Sequence, residues 1–531
     1  MKLKELIKDL SYTLSENTDI DNEKILDTDI SDVIYDSRKV QKDSLFVCLS
    51  GSSFDGHKFA QSAVDGGAAA VLVCEDVEVK NALVIKVEDT RKALALVSAE
   101  YFGNPANELT TIGITGTKGK TTTASMVANI LTAGGLKTGI IGTLGIVIDG
   151  KVEETANTTP ESYEIQRAMR KMINEGCKCV VMEASSLGLK WHRTDGFIFD
   201  YAIFTNFSHD HIGGAEHKDM QEYLDCKALL FKQCKAGMIN IDDAKAQYII
   251  EHSSCKIETF GFSKNAELIG SDDSLISKAG YLGVHFTISG VMNTELDVDI
   301  PGKFMAYNAL AAISVCRHLV SLDAIKEGLN TVKVKGRVEP VPVPGHYTLL
   351  IDYAHNALSM ESLLTILREY HPNRLITLFG AGGNRPRDRR YEMGEISGRL
   401  SDLSVITEDN SRFENVMDII EDIKVGINKT DGKYVVIQTT SVGLHPNDEA
   451  VVIDDEAFYK KAAVGVDIIY NPANTKFMKL IKAQGKNAYN GLKMLLYQGV
   501  SAYELWNDCK ITKEEADEVY KCLQKELGID E

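Results

Sequence analysis

Thr111-Ile112-Gly113-Ile114-Thr115-Gly116-Thr117-Lys118-Gly119-Lys120-Thr121-Thr122-Thr123 runs from an apolar, β-prone segment through glycines into Lys-Thr-Thr. The order is that of a strand, a phosphate-binding loop and a helix. Glycines leave backbone N–H groups free to close around phosphate oxygens, and the helix that follows offers the positive end of its dipole. In such a loop Gly116, Thr117, Lys118 and Gly119 cradle the phosphates, Lys120 reaches the β- and γ-phosphates, the Thr121 hydroxyl ligates Mg²⁺, and Thr122 completes the nucleotide contact. Met126, Val127, Ile130 and Leu131 fall on one helical face, and Gly134-Gly135 end the helix. Counting back from Gly119-Lys120, the strict motif spacing falls on Ile114, so Gly113 stands one residue early.

A chain of 531 residues is too long for one core and divides into roughly three or four domains. Its net charge of -18 argues against nucleic acid as the main partner, because phosphate backbones need a basic surface. Met1 to Leu10 alternates charge with apolar residues and reads as an amphipathic helix rather than a signal peptide. No stretch has the length of a membrane span. Ten scattered cysteines, with Cys177 and Cys179 in a buried-strand pattern, suggest reduced structural thiols in a cytoplasmic protein.

The fold class is α/β. Residues 1–108 carry the short signals of a small α/β domain, with Ser44 to Leu49 as a strand. From 109 to 335, apolar strands at Ile112–Thr115, Cys179–Met182, Tyr201–Thr205 and Met238–Ile241 alternate with helical patterns, as a mostly parallel sheet requires. A third α/β segment starts at Gly336, with strands at Thr348–Ile351, Leu375–Phe379 and Leu403–Thr407. Ligands in such sheets gather at the carboxyl ends of strands.

Two of those ends carry chemistry. The strand at Cys179 runs into Glu183-Ala184-Ser185-Ser186, and the strand at Tyr201 runs into Asn206-Phe207-Ser208-His209-Asp210-His211. A carboxylate and an imidazole there suit Mg²⁺, a hard ion that leaves positions open to substrate phosphate and water. Either residue alone is equally compatible with a buried ion pair or a capping histidine. Lys227, in Tyr223-Leu224-Asp225-Cys226-Lys227-Ala228-Leu229-Leu230-Phe231, reads physically as an ordinary solvated helix lysine.

These segments, taken in order, resemble the Mur ligases over residues 1 to 437. The resemblance is carried by Ser37-Arg38, the modified phosphate loop, Asn157-Thr158-Thr159-Pro160, Glu183-Ala184-Ser185-Ser186, Asp210-His211 and Lys227 in its Y-x-x-x-K-x-x-L-F frame. Farther on stand Tyr307-Asn308-Ala309-Leu310, Gly336-Arg337-Val338-Glu339, Asp352-Tyr353-Ala354-His355-Asn356, Gly380-Ala381-Gly382-Gly383-Asn384-Arg385 and Asp409-Asn410-Ser411-Arg412. The resemblance implies a three-domain architecture with a central phosphate-loop domain and a Rossmann-like third domain. It also implies a monomeric ATP-dependent ligase that extends the peptide of a UDP-linked cell-wall precursor through an acyl phosphate. Glu183, His211, Thr121 and a carbamylated Lys227 would hold Mg²⁺, with Lys120 on the phosphates; Asn308 would contact adenine, Asp352 the ribose and Arg337 the phosphates. Ser37, Arg38, Asn157, Thr158, Thr159, Ser185 and Arg193 would bind the UDP-N-acetylmuramoyl dipeptide, while Arg385, Asp409, Asn410 and Arg412 would meet the incoming free amino acid. Arg412 favours meso-diaminopimelate, whose distal carboxylate a guanidinium can fork onto, over L-lysine. Ser411 stands where the family has proline and loosens that turn.

The family's closing Gly-Lys-Gly-His-Glu motif is missing. Instead Thr439 to Pro446, Val466 to Pro472 and Asn490 to Gly499 resemble the end of shikimate dehydrogenase over residues 438 to 531, so the chain reads as a fusion with a domain boundary there. The catalytic half of a dehydrogenase is not in the sequence, so Tyr470 and Gln498 read as relics. Tyr434-Val435-Val436-Ile437-Gln438 suits either parent as a strand, and Val466 to Tyr470 reads as a buried one. The missing motif keeps open a protein that binds ATP and the UDP precursor without turnover. Folylpolyglutamate synthetase shares the ATP chemistry, but Ser37-Arg38 and Asn157-Thr158-Thr159-Pro160 speak against it.

Overall fold

The computed structural model describes residues 1–15, 21–51, 55–209, 213, 216–278, 281–333, 336, 338–341, 343, 347–428, 434–507 and 509–527. It divides into two compact units, Met1–Asp352 and Tyr353–Glu531.

The first unit begins with a five-stranded sheet of β1 (Tyr12–Leu14), β2 (Val33–Ile34), β3 (Ser44–Val47), β4 (Ala68–Val73) and β5 (Leu83–Val87), in the order β1-β5-β4-β3-β2. The expected N-terminal helix spans only Leu3–Leu6. Leu3 and Leu6 are its buried face, Ile7 after it is buried as well, and the chain then runs on to β1.

The central sheet holds eleven strands among the described residues: β6 (Thr110–Thr115), β7 (Thr138–Gly142), β8 (Gly145–Ile148), β9 (Lys151–Glu153), β10 (Cys179–Glu183), β11 (Phe199–Phe204), β12 (Cys234–Asn240), β13 (Lys256–Gly261), β14 (Leu268–Lys278), β15 (Tyr281–Gly290) and β16 (Thr294–Val298). The run β7-β10-β6-β11-β12-β13-β14 is parallel, and antiparallel hairpins extend it at both edges. β6 lies in its interior, paired with β10 and β11 and buried almost end to end, as its β-branched residues around Gly113 suit. The helix Phe304–Cys316 is apolar on nearly every side and accordingly buried, packed against the helix Lys120–Ala133.

After it, β17 (Glu339–Val341) pairs antiparallel with β18 (Leu349–Ile351). The strand expected at Thr348–Ile351 therefore forms, but in a local hairpin rather than a parallel sheet, because its partner lies a few residues upstream.

The second unit is a parallel sheet of β19 (Ile376–Phe379), β20 (Leu403–Ile406), β21 (Tyr434–Gln438), β22 (Ala462–Asp467) and β23 (Asn487–Tyr489), in that order. The expected join near 438 falls at the last residue of β21, which bonds β20 on one side and β22 on the other. One core spans the join, with Met360, Met393, Ile406 and Ile423 packed together with Phe458, Tyr459, Phe477 and Ile481. The strand expected at Val466 to Tyr470 begins earlier and ends at Asp467. The buried Asp467 carboxylate takes the Ile469 N–H at 3.0 Å and the Thr475 hydroxyl at 2.6 Å, turning the chain away.

Candidate functional site

β6 delivers the chain into the glycine loop with positive φ at Gly116 and Gly119. A Cβ at Gly116 would lie 2.0 Å from Thr205 Oγ1, and one at Gly119 would lie 2.4 Å from Asn308 Oδ1, so both positions exclude side chains. Gly113 belongs to β6 and faces Phe199 and Leu230, where a Cβ would come within 2.9 Å of Leu230. The early glycine is a packing residue, and Gly116 is the glycine of the loop.

The end of β11 stitches this loop in place. Thr117 N–H donates to Asn206 O and Lys118 N–H to Asn206 Oδ1, both at 2.9 Å, while Thr205 Oγ1 donates to Lys118 O at 2.8 Å. Lys120 Nζ donates to the Gly116 and Thr117 carbonyls at 2.8 and 3.1 Å.

Glu183, the last residue of β10, is 1 % exposed. Its carboxylate accepts the Thr121 hydroxyl at 3.0 Å and the Thr143 N–H and hydroxyl at 2.9 and 3.2 Å. Thr121 and Glu183, 62 residues apart, thus place hard oxygen donors together at the start of the loop helix. Thr143 carries no sequence signal beyond its place after the apolar strand β7, and the sequence reading missed it.

Lys227, on the helix Met220–Ala228, is not a solvated lysine: it is 1 % exposed. Its Nζ lies 4.2 Å from the centroid of the Tyr223 ring and donates to Gly116 O at 2.8 Å, the same carbonyl that Lys120 uses. The expected ligand His211, with Asp210, and the expected phosphate contact Arg337 lie outside the described residues.

Asn308 is buried beneath the loop, where Oδ1 accepts Thr123 Oγ1 at 3.4 Å. Asp352 accepts the Val338 N–H at 2.9 Å, near the end of the first unit.

Of the expected precursor-binding residues, several meet at the end of β10. Thr159 Oγ1 donates to Glu183 O at 2.8 Å and lies 2.9 Å from Ser185 Oγ, and Ser185 caps the short helix that follows. Thr158 Oγ1 lies 3.2 Å from Thr143 Oγ1, and Asn157 is exposed beside it. Arg193 Nη1 holds the Thr159 carbonyl at 3.0 Å while its Nε binds Glu161 at 3.0 Å. Arg91 closes on the same carboxylate at 2.9 Å, so an arginine pair around Glu161 fixes the Asn157–Thr159 segment. Ser37 and Arg38 stand on a single 3₁₀ turn, where Asp36 takes Arg38 in a fork of two 2.8 Å bonds. Those bonds hold the Asp36 carboxyl below the usual carboxylate range.

In the second unit the expected amino-acid residues occupy two touching loops. Gly383 N–H donates to Asn410 O at 2.8 Å, and a Cβ on Gly383 would lie 1.8 Å from Ser411 O. Arg385 leaves the end of β19, while Asp409, Asn410 and Arg412 leave the end of β20; Arg385 and Arg412 are both exposed, and Arg412 has φ +52°. Behind them the buried Arg390 binds Glu414 through two 2.8 Å bonds and Asp422 at 2.9 Å. Arg390 is a support that sequence reading missed, since arginine within a helix carries no signal of burial.

A model of the Mur ligase family catalytic domain matches residues 29–102, one of the Mur ligase middle domain residues 114–316, and one of the Mur ligase glutamate ligase domain residues 336–453. The last runs past the expected join. UDP-N-acetylmuramoyl-L-alanyl-D-glutamate--2,6-diaminopimelate ligase of Caldanaerobacter subterraneus subsp. tengcongensis is 40 % identical over 442 residues, covering 82 % of this chain and 89 % of its own length. The like-named protein of Alkaliphilus oremlandii is 34 % identical over 501 residues, 91 % of this chain and 100 % of its own. Among solved structures, one titled as a UDP-N-acetylmuramoyl-L-alanyl-D-glutamate--2,6-diaminopimelate ligase superposes with a TM-score of 0.65 at 23 % identity, covering 91 % of this chain and 99 % of that one. MurF from Acinetobacter baumannii gives a TM-score of 0.54 at 19 % identity, over 83 % of this chain and 90 % of that one. Both structures show the fold alone.

Proposed function

The chain belongs to the Mur ligase family, and from that premise we propose that it adds meso-diaminopimelate to UDP-N-acetylmuramoyl-L-alanyl-D-glutamate with conversion of ATP to ADP and phosphate. The observation that carries the reading is the convergence of Lys120, Lys227 and the Thr121–Glu183 pair on one glycine loop. Relatives sharing 34 to 40 % of their residues over most of the chain bear this name.

A carboxylate oxygen of the dipeptide attacks the γ-phosphorus, the bond to the β-phosphate breaks and ADP leaves. The amine of the amino acid then attacks the acyl carbon, phosphate departs, and an amide forms. A carboxylate is a poor electrophile until one oxygen becomes a phosphate leaving group, and two anions meet only where charge is neutralised. The loop amides and Lys120 hold the phosphates. The Glu183 carboxylate and Thr121 hydroxyl are the hard oxygen donors that Mg²⁺ prefers, with His211 and a carbamylated Lys227 as the further ligands the family suggests. When bound, the ion neutralises phosphate charge. Thr159, Ser185 and Arg193 orient the precursor, Asn308 and Asp352 the nucleoside, and Arg385, Asp409, Asn410 and Arg412 the amino acid. Arg337 is assigned to the phosphates by the family resemblance.

Residues 438 to 531 supply β22, β23 and part of a core, and we read the part beyond the Mur ligase match, which ends at residue 453, as a shikimate-dehydrogenase-like ending on sequence resemblance alone. We read the protein as a cytoplasmic monomer, as the family resemblance implies; among the described residues no helix is long and apolar enough to cross a membrane. Incubating the pure protein with ATP, the UDP-dipeptide and a panel of amino acids, with phosphate release as readout, tests the assignment. Turnover with diaminopimelate supports it; no turnover with any amino acid, or equal use of L-lysine, overturns it.

A further inference from the structure

β21 is the middle strand of its sheet, hydrogen-bonded to β20 and β22, and such a strand is ordinarily covered on both faces. Val435, Val436 and Ile437 are nevertheless only half-buried, because a cavity of about 470 Å³ opens against them at the carboxyl ends of β20 and β21. Ile406, Met417, Ile420, Val451, Phe458 and Phe477 contribute its apolar lining. Polar groups stand at the strand ends, Thr407, Glu408 and Gln438, and at the start of the helix Val416–Asn428, Asn415. Gln438 is already committed, accepting the Thr440 N–H at 3.0 Å and donating to Val442 O at 2.7 Å. Among the described residues the lining contains no Lys, Arg or His, and its one charged side chain is Glu408.

Size, apolar walls and a few polar groups at strand ends are the attributes of a small-molecule site in an open α/β sheet. The charge sets the class of ligand. An anion placed here would lose its hydration with no cation to replace it, against a carboxylate already present. We propose that this cavity is a binding site for a neutral or cationic aromatic molecule, its rings against the valines and phenylalanines and its hydrogen-bond donor at Glu408. The walls come from both sides of residue 438, so the site exists only in the assembled sheet.

N-phenyl-1-naphthylamine and 8-anilinonaphthalene-1-sulfonate share one ring system and differ by a sulfonate, which makes them matched probes for the full-length chain. The neutral dye should bind saturably, one per chain, with a blue-shifted emission, and the sulfonate about tenfold more weakly or worse. Val442→Phe and Val451→Phe, which fill the cavity, should each weaken the neutral dye about tenfold with an unchanged circular dichroism spectrum. Glu408→Gln, at an exposed residue whose carboxylate also accepts the Ser411 hydroxyl at 3.0 Å, should narrow the gap between the dyes about threefold or more with an unchanged circular dichroism spectrum. Unsaturable binding, equal affinity for both dyes, or a gap indifferent to Glu408→Gln overturns the proposal. So does undiminished binding by a folded cavity-filled variant, which would place the dye on the exposed face that carries Leu505 and Trp506.

Discussion

Gly116 links the proposed chemistry to covalent detail, since its carbonyl receives two ammonium groups and its α-carbon has no room for a methyl. Lys120 is the loop cation that the phosphates would meet. Lys120→Ala should lower phosphate release by about a hundredfold or more, the range seen when one electrostatic contact to a transition state is removed; turnover above a tenth of wild type would refute the loop assignment. Lys227→Ala should be nearly inactive yet folded. Acetate or another small carboxylate should restore part of its turnover by supplying the oxygen ligand that a carbamate provides, and unaltered activity would remove Lys227 from the site. Lys120 and Thr121 stood out from the order of strand, glycine loop and helix, whereas Lys227 was singled out only by resemblance. Burial of a helix lysine depends on what packs above it, here Tyr223 and the loop, and no local pattern encodes that.

Elements bring distant residues together in ways their own sequences do not announce. The Gly380 to Arg385 and Asp409 to Arg412 loops touch because glycine backbone meets the Ser411 carbonyl, so Arg412→Ala should raise the Michaelis constant for diaminopimelate far more than that for ATP. Equal effects on both would dissociate Arg412 from the amino acid. A second case joins the helix Ser186–Lys190 to the segment before Met220–Ala228: buried His217 places Nε2 2.9 Å from Ser186 Oγ. Burial pulls the imidazole below its ordinary value, with the Lys190 charge adding to it. A histidine depressed in the folded state binds fewer protons there than when unfolded, so its stabilising share is complete above about pH 6.5 and is lost as pH falls below that value. Melting temperatures of wild type and His217→Gln between pH 8 and 5.5 should converge on acidification; parallel curves would contradict the burial effect. Strand positions in the central sheet were readable because parallel strands are continuous apolar runs. β18 and β22 were read less well, since pairing partner and strand end were decided by a local hairpin and by the Asp467 carboxylate.

At the scale of the whole chain, the order of α/β segments is visible in alternating strands and helices, but the continuity of the last sheet is not. Residue 438 looks like a boundary in sequence and lies within a single hydrophobic core in structure. Deleting residues 439–531 strips β22 and β23 from the sheet and removes Phe458, Tyr459, Phe477 and Ile481 from that core. Each such side chain contributes roughly 1.5–3 kcal/mol when fully buried. The shortened protein should therefore melt lower or precipitate, while calorimetric titration of the full chain with NADP or shikimate should give no heat beyond dilution. A soluble, equally stable truncation, or saturable heat with either ligand, would contradict this. The shared carbonyl of Gly116 also ties distant parts of the chain together. Lys120 opens the loop helix and Lys227 sits on the helix Met220–Ala228, and both ammonium groups donate to that one oxygen at 2.8 Å. A single loop atom thus gauges the position of two helices more than a hundred residues apart, so a shift of either is felt at the phosphate loop before any ligand arrives.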